Sequence, residues 1–292
     1  MQAFAFGPLV HGDHVDGGIV IGTRDAAFAR TLVEKMPALV DVSTTPSALL
    51  AERLHAYWQA LEQRKVFATL LAEQAFHPVY QPIVEMASAE IVGYEALTRF
   101  HSGQPPEQAF SAARAAGLGI ELELATLELA IDGARRLPAG RWLDLNVSPS
   151  LLEHPAQLRE RLWTADRPLV LEITEHEVVA DYAALHAAVR SLGGDVRLAV
   201  DDAGAGIANF GHILELGADF VKLDISLVRR VNANLGRQAL VVAMRHFART
   251  AGCRLVAEGI ETAEEVRTLT ELGVEFGQGY WFGRPEPAPL EV

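Results

Sequence analysis

The sequence predicts an α/β protein whose larger part is a (βα)8 barrel with one antiparallel strand, preceded by a small α/β region and a linker helix. Three observations support this prediction. From His77 onward, eight short apolar runs alternate with helical stretches. Most runs are apolar at successive positions, which is typical of parallel strands buried on both faces. Seven of them also end in a polar or charged residue that packing within a sheet does not require.

Residues 1–74 form the first predicted region. Apolar runs at Leu9–Val10 and Ile19–Ile21 flank a turn and predict a hairpin. A helix over about Asp25–Met36 and a short strand at Leu39–Val42 should follow. From Pro46 to Gln74, apolar residues recur every three or four positions, which predicts a long helix. We interpret this region as a candidate sensor remnant with a linker helix.

The barrel elements are predicted in residues 75–292. Two strands, about Val79–Val84 and Ile91–Leu97, are joined by a short turn and should form an antiparallel hairpin. Six further strands are expected at about Trp142–Val147, Leu169–Ile173, Arg197–Asp202, Phe220–Asp224, Arg254–Glu258 and Glu275–Gly279. The helices between them include Tyr182–Leu192, Gly236–Thr250 and Ala263–Leu272. A TIM-like barrel fits this alternation; a doubly wound open sheet is the alternative, but no Gly-rich nucleotide loop follows the first strand.

Composition restricts the classes of function. The formal net charge of −13 argues against DNA as a partner, because phosphate binding depends on lysine and arginine. The single cysteine, Cys253, excludes a disulfide framework and is expected to be a buried, inert thiol. No apolar run approaches the roughly 20 residues of a membrane span, and the N-terminus lacks the pattern of a signal peptide. We therefore expect a cytoplasmic protein without a membrane segment.

The polar strand ends predict a metal site. They are Glu95, Asp144, Asn146, Glu172, Asp201, Asp202, Lys222, Asp224, Glu258 and Gln278. In a (βα)8 barrel the carboxyl ends of the strands meet at one face, where active sites lie. Carboxylates about 4 Å apart repel by roughly 4 kcal/mol per pair at an effective dielectric constant near 20, so such a cluster requires cations. The alternative, that these acids only cap the following helices, is reasonable for one acid but explains seven strand ends poorly.

The same residues carry a resemblance to a known family. In chain order the sequence contains Tyr80-Gln81-Pro82-Ile83, Glu95-Ala96-Leu97-Thr98-Arg99, Asn146-Val147-Ser148, Glu172-Ile173-Thr174-Glu175, Asp201-Asp202, Lys222-Leu223-Asp224, Ala257-Glu258-Gly259-Ile260-Glu261 and Gln278-Gly279-Tyr280. This ordered set resembles the EAL family of cyclic di-GMP phosphodiesterases over about residues 75–288. The resemblance implies metal-dependent hydrolysis of one phosphodiester bond of cyclic di-GMP, giving linear pGpG, by a homodimer formed through the barrel.

The resemblance also implies roles for individual residues. Two Mg²⁺ or Mn²⁺ ions per site would be held by hard oxygen ligands. The first ion would bind Glu95, Asn146, Glu172 and Asp201, and the second would bind Asp201, Asp202 and Glu258. Lys222 would position or activate the attacking water, and Gln81, Arg99 and Gln278 would contact the substrate. Glu175, Asp224 and Glu261 would anchor loops or support the metal ligands.

One loop departs from the family pattern. After the paired aspartates the family usually has Asp-Phe-Gly-Thr/Ala-Gly-Tyr-Ser-Ser, whereas this chain has Asp202-Ala203-Gly204-Ala205-Gly206-Ile207-Ala208-Asn209. The aromatic and hydroxyl side chains are missing, although no metal ligand is lost. The main alternative to an active phosphodiesterase is therefore a catalytically weak or silent cyclic di-GMP receptor that regulates a partner. A third alternative is an unrelated metal-dependent barrel enzyme, such as an aldolase or isomerase.

Overall fold

The computed structural model describes residues 3–11, 14–32, 34–35, 37–38, 58, 60–174, 179–204 and 210–289. The chain divides into two compact units, Met1–Ala68 and Thr69–Val292. Among the described residues, no helix is both long and apolar enough to cross a membrane.

The first unit contains the predicted hairpin. Strands β1 (Ala3–His11) and β2 (His14–Thr23) pair in an antiparallel sheet. Helix α1 (Ala26–Thr31) follows, and the side chain of Asp25 caps it by accepting hydrogen bonds from two backbone N–H groups. Residues 60–72 are helical and are named α2. The predicted strand at 39–42 and most of the predicted helix before residue 58 lie outside the described residues.

The second unit is a closed barrel of eight strands, in the order β10-β3-β4-β5-β6-β7-β8-β9. The strands are β3 (Phe76–Glu85), β4 (Glu90–Phe100), β5 (Trp142–Asn146), β6 (Leu169–Thr174), β7 (Val196–Ala203), β8 (Phe220–Leu223), β9 (Arg254–Ala257) and β10 (Phe276–Gln278). Strand β3 is antiparallel to both of its neighbours, and the other pairs are parallel. The predicted barrel with one antiparallel strand is confirmed, and the open-sheet alternative is wrong.

Helices connect the strands from β4 onward. They are α3 (Pro106–Ala115), α4 (Gly119–Ala134), α5 (Pro149–Leu152), α6 (Pro155–Leu162), α7 (Tyr182–Leu192), α8 (Phe210–Leu216), α9 (Ile225–Val228), a 3₁₀ helix (Val231–Ala233), α10 (Leu235–Ala251) and α11 (Ala263–Glu271). Local signals explain several of their ends. Thr262 and Glu265 form a capping box at the start of α11, and Gly252 ends α10 in the left-handed conformation that glycine favours.

The barrel interior has an apolar layer below a polar one. The apolar layer consists of Ile83, Val170, Ala199, Phe220, Val256 and Phe276, with Trp142 and Val92 packed against it. Side chains two positions apart on a strand share a face. On six strands, β5 to β10, the residue two positions after the layer residue is therefore a second interior residue, nearer the carboxyl end: Asp144, Glu172, Asp201, Lys222, Glu258 and Gln278. Strand β3 runs in the opposite direction, so its polar partner, Gln81, comes two residues before Ile83.

Candidate metal centre and active site

Lys222 occupies the centre of a carboxylate cluster. Its side chain is 1% exposed, and its Nζ lies 2.8 Å from each carboxylate oxygen of Glu172 and 2.7 Å from Oε1 of Glu258. Two further carboxylates are near, with Oε2 of Glu95 at 3.3 Å and Oδ1 of Asp201 at 3.9 Å. The sequence assigned Lys222 to catalysis, but it did not predict that one ammonium group would contact four carboxylates.

The electrostatic environment favours a charged lysine. Burial alone would lower the pKa of Lys222, but Glu172, Glu258 and Glu95 raise it, and the net pKa lies well above its usual range. Burial raises the pKa of Glu258 to about 8, although Lys222 opposes this shift. Four carboxylates thus surround one ammonium, so the cluster holds more negative charge than Lys222 neutralises.

An amide network fixes Glu95. Its Oε1 accepts a hydrogen bond from Nδ2 of Asn146 at 3.1 Å, and its Oε2 accepts one from Nε2 of Gln278 at 2.5 Å. The same Gln278 nitrogen donates to Oε1 of Gln81 at 3.0 Å, and Gln81 donates to the backbone carbonyl of Gly283. The structure thus brings these four residues together, as the sequence led us to expect.

The residue after Gln278, Gly279, fixes the backbone at this position. Gly279 has φ of 155°, and a Cβ at this position would collide with the backbone of Ile260. This close approach lets the Ile260 N–H donate to the Gln278 carbonyl at 3.1 Å. A glycine is required here because any side chain would push the two segments apart.

The remaining predicted residues lie at the rim. Asp224 accepts the backbone N–H of Ser226 and caps α9, so the capping alternative is correct for this acid. Glu261 forms an ion pair with Arg229, an arginine that the sequence analysis did not single out. Arg99 donates from Nη1 to the Thr98 carbonyl.

The loop at residues 202–209, which differs from the family pattern, is only partly described. Asp202 has φ of 58°, and Gly204 has φ of 99° at a position where a Cβ would collide with the Leu227 side chain. Glu175 and the loop residues 205–209 lie outside the described residues. The loop-anchoring role of Glu175 therefore stays a prediction.

Asp144 is an additional buried acid in this region. It is 3% exposed, and its Oδ1 has no hydrogen-bond partner. Burial raises its pKa to about 7, although Lys222 and a hydrogen bond with the Glu172 carboxyl lower it. The sequence analysis noted Asp144 as a strand-end acid without a role. Its spacing of two residues from Asn146 was the signal for a shared interior face.

The side chains suit hard divalent cations. Carboxylate oxygens of Glu172, Asp201 and Glu258 lie within 4.8 Å of one another. Oδ1 of Asp201 and Oε1 of Gln278 are buried without a hydrogen-bond partner. Clustered oxygen ligands with unsatisfied atoms fit Mg²⁺ or Mn²⁺, which prefer carboxylate and amide oxygens to thiolates.

Two clefts of about 370 Å³ each flank this cluster. The first extends toward α3 and α4 and is lined by Arg99, Phe110 and Arg114. The second is lined by Arg229, Glu261 and Tyr280. Both clefts are lined by Glu95 and Asp201, so they meet at the carboxylate cluster.

The raised pKa values predict how stability depends on pH. In EDTA we expect the melting temperature to fall as the pH rises from about 5 to 9. The folded protein keeps a proton on Glu258 up to its pKa of about 8, whereas the unfolded chain loses it near the ordinary glutamate pKa of 4.5, so folding binds protons in this window. Calorimetry at several pH values measures the slope.

Glu258→Gln provides the control for this prediction, because a neutral amide removes one titrating group and should make the slope shallower. Lys222 does not contribute in this window, since its pKa lies above its usual value. A melting temperature in EDTA that rises between pH 5 and 9 would contradict the assignment of a proton-binding carboxylate cluster.

Comparison with known proteins identifies the family. The family model described as the EAL domain matches residues 63–285. Probable cyclic di-GMP phosphodiesterase PdeN of Escherichia coli K12 is 30% identical over 240 residues, which cover 77% of this chain and 46% of that protein. Cyclic di-GMP phosphodiesterase PA2567 of Pseudomonas aeruginosa is 33% identical over 238 residues, covering 75% of this chain and 40% of that protein. The chain thus spans less than half the length of these two curated relatives.

A solved structure gives the same result. The calcium and cyclic di-GMP complex of Klebsiella pneumoniae BlrP1 matches with a TM-score of 0.67 and 30% identity, covering 75% of this chain and 57% of that one. The family model covers more than half of the chain, including every strand of the barrel. The chain belongs to the EAL domain family.

Proposed function

We propose that this chain hydrolyses one phosphodiester bond of cyclic di-GMP to give linear pGpG, using two divalent cations, and so lowers the level of this second messenger. The observation that carries the proposal is the cluster of Glu172, Asp201 and Glu258, whose ligand oxygens lie within 4.8 Å of one another. The names of the relatives and the calcium and manganese complexes of BlrP1 with cyclic di-GMP support it.

The proposed metal ligands divide between two sites that share one aspartate. Glu95, Asn146, Glu172 and Asp201 would hold the first cation. Asp201, Asp202 and Glu258 would hold the second. Such a pair of cations lowers the pKa of bound water and stabilises the attacking and leaving oxygens of an in-line displacement.

The remaining residues would position the substrate and the water. Lys222 lies at the floor of the cluster, where its ammonium is suited to orient the attacking water and to offset charge on the phosphorane. Arg99 lines the first cleft and offers a planar fork for a phosphate oxygen. Gln278 donates a hydrogen bond to Glu95 and another to Gln81, and both glutamines line the second cleft.

The experiment is incubation of the purified full chain with cyclic di-GMP and Mn²⁺, followed by chromatography of the nucleotides. The proposal predicts linear pGpG as the product and no turnover in EDTA. Binding of cyclic di-GMP without product would favour the receptor alternative, which the missing aromatic at Ala203 and the missing hydroxyls at Ala205 and Ala208 motivate. Neither binding nor product would contradict both functions.

The proposal includes a homodimer formed through the barrel. Helices α8 and α10 carry exposed apolar side chains, with Leu214 57% and Leu240 54% exposed. Phe210, on α8, packs against Phe247, on α10, with ring centroids 4.8 Å apart and planes tilted by 58°, so apolar side chains of the two helices meet. A second copy of the chain would bury this surface.

A further inference from the structure

The side chain of Lys222 crosses the barrel interior. Lys222 lies on β8, which is opposite β4 in the closed order of eight strands. Its ammonium nevertheless reaches Glu95 on β4 and Glu172 on β6. Asp144 lies on β5, the strand between these two, and is paired in register with Glu95. Three neighbouring strands thus carry acids on this side of the barrel, and Asp144, on the middle strand, lies more than 4 Å from the ammonium, which contacts the acids on either side of it.

Asp144 differs from the other buried acids in its surroundings. The buried acids among the described residues are Glu95, Glu123, Asp144, Glu172 and Glu265. Outside the cluster, Glu123 accepts the backbone N–H of Ser148, and Glu265 accepts backbone N–H groups at the start of α11. Within it, Glu95 and Glu172 accept hydrogen bonds from amide and ammonium groups. Asp144 keeps one oxygen, Oδ1, without any donor.

Metal binding changes the partners available to Lys222. The ammonium lies 2.7–2.8 Å from Glu172 and Glu258, which are also proposed metal ligands. Divalent cations held by these oxygens would repel the ammonium and would compete with it for the same carboxylate lone pairs. The ammonium then needs another anion at the same depth, because a buried charge without a partner is costly.

We propose that Asp144 is a positioning residue for Lys222: it supplies the anionic partner that keeps the ammonium at the floor of the site when divalent cations engage Glu172 and Glu258. This inference rests on the proposed function, because it assumes that these acids bind metal. It gives a role to an acid that is neither a proposed metal ligand nor a proposed substrate contact. Asp144 acts through Lys222 and does not touch the reacting atoms.

The test is a double-mutant cycle on metal binding, which does not depend on turnover. Titration calorimetry with Mn²⁺ is carried out on the full chain and on Asp144→Asn, Lys222→Met and the double variant. We expect Asp144→Asn alone to raise the Kd for Mn²⁺ at least about tenfold, because Lys222 then remains on the metal ligands. In the Lys222→Met background the same change should alter the Kd by less than about twofold, since there is no ammonium to position.

The activity of Asp144→Asn provides a second readout. We expect kcat for cyclic di-GMP to fall at saturating Mn²⁺ while KM changes little, since Lys222 is misplaced but the clefts are intact. Asp132→Asn, an exposed acid on α4, removes the same charge far from the site and should change neither quantity. If Asp144→Asn does not fold, as judged by its melting transition, Asp144→Ser is used in its place.

The outcomes separate this inference from the function on which it rests. An equal rise in Kd in both backgrounds, or no rise at all, would overturn the positioning role while leaving metal binding intact. Failure of the unmodified chain to bind Mn²⁺ would contradict the proposed function itself. A lower melting temperature with unchanged metal binding and kcat would reduce Asp144 to a packing residue.

Discussion

Lys222→Met is expected to slow hydrolysis of cyclic di-GMP by about a hundredfold or more, the usual range for losing a group that moves or orients a proton. Methionine keeps most of the volume of the stem and deletes the ammonium that lies 2.7 Å from Glu258. Binding of cyclic di-GMP in calcium, where turnover does not interfere, should weaken much less, because the two clefts are unchanged. Steady-state kinetics and calorimetry measure the two effects separately.

The same substitution has a predicted effect on stability. In EDTA, Lys222→Met leaves the carboxylates of the cluster without their buried cation, and losing one partner of a buried ion pair costs about 3–5 kcal/mol. Mn²⁺ should restore most of this loss, since divalent ions neutralise the same oxygens. Lys65→Met, which removes an exposed lysine paired with Glu62, is the control and should have little effect.

For the kinetic comparison, turnover and cyclic di-GMP affinity that fall in proportion in Lys222→Met would show that Lys222 serves binding instead.

Asp201→Asn is expected to abolish hydrolysis, because Asp201 is the proposed ligand shared by both cations. An amide bridges two metals poorly and removes a negative charge that both metals use. The structure makes Asp201 suited to this role, since its Oδ1 is buried without a hydrogen-bond partner and lies 3.9 Å from the Lys222 ammonium. Asp166→Asn, at an exposed aspartate paired with Arg167, is the matched control. Full turnover by Asp201→Asn would contradict a bridging role.

Much of the barrel was predictable because its parallel strands are buried on both faces. Strand β6 is almost fully buried and β8 is buried throughout, so each is largely apolar apart from the one charged site residue that it carries, Glu172 and Lys222. Strand β3 was harder to predict: it begins at Phe76 rather than at the predicted Val79. Pro78 and Pro82 obscured it, since proline lacks the N–H of a ladder. They are tolerated because β10 pairs only with Ile83, Val84 and Glu85 of this strand.

The sequence was sufficient to predict which residues come together in the candidate site. Alternation along strands places Asp144, Glu172 and Glu258 inside the barrel, and the fold brings the carboxyl ends of the strands together. The depth of each side chain in the barrel and the direction in which it points were not predictable. A lysine has four methylenes, and nothing in the sequence says that Lys222 reaches across the barrel to Glu95.

The acids at the rim show a second limit of sequence reasoning. Asp224 follows its strand directly, as the metal-ligand candidates do, yet it caps α9. Period-two spacing predicts the face of the strand to which an acid belongs, but the last residue of a strand is free to turn toward the next helix. Only the backbone path after β8 decides between the two.

The central claim is that this cluster holds two divalent cations bridged by Asp201, and counting bound metal tests it most directly. The full chain is loaded with Mn²⁺ in the presence of cyclic di-GMP under conditions too short for turnover, freed of unbound ions, and assayed for manganese per chain. The account predicts about two ions in the unmodified chain and one or none in Asp201→Asn. A single ion in the unmodified chain, or the same number in both proteins, would contradict it.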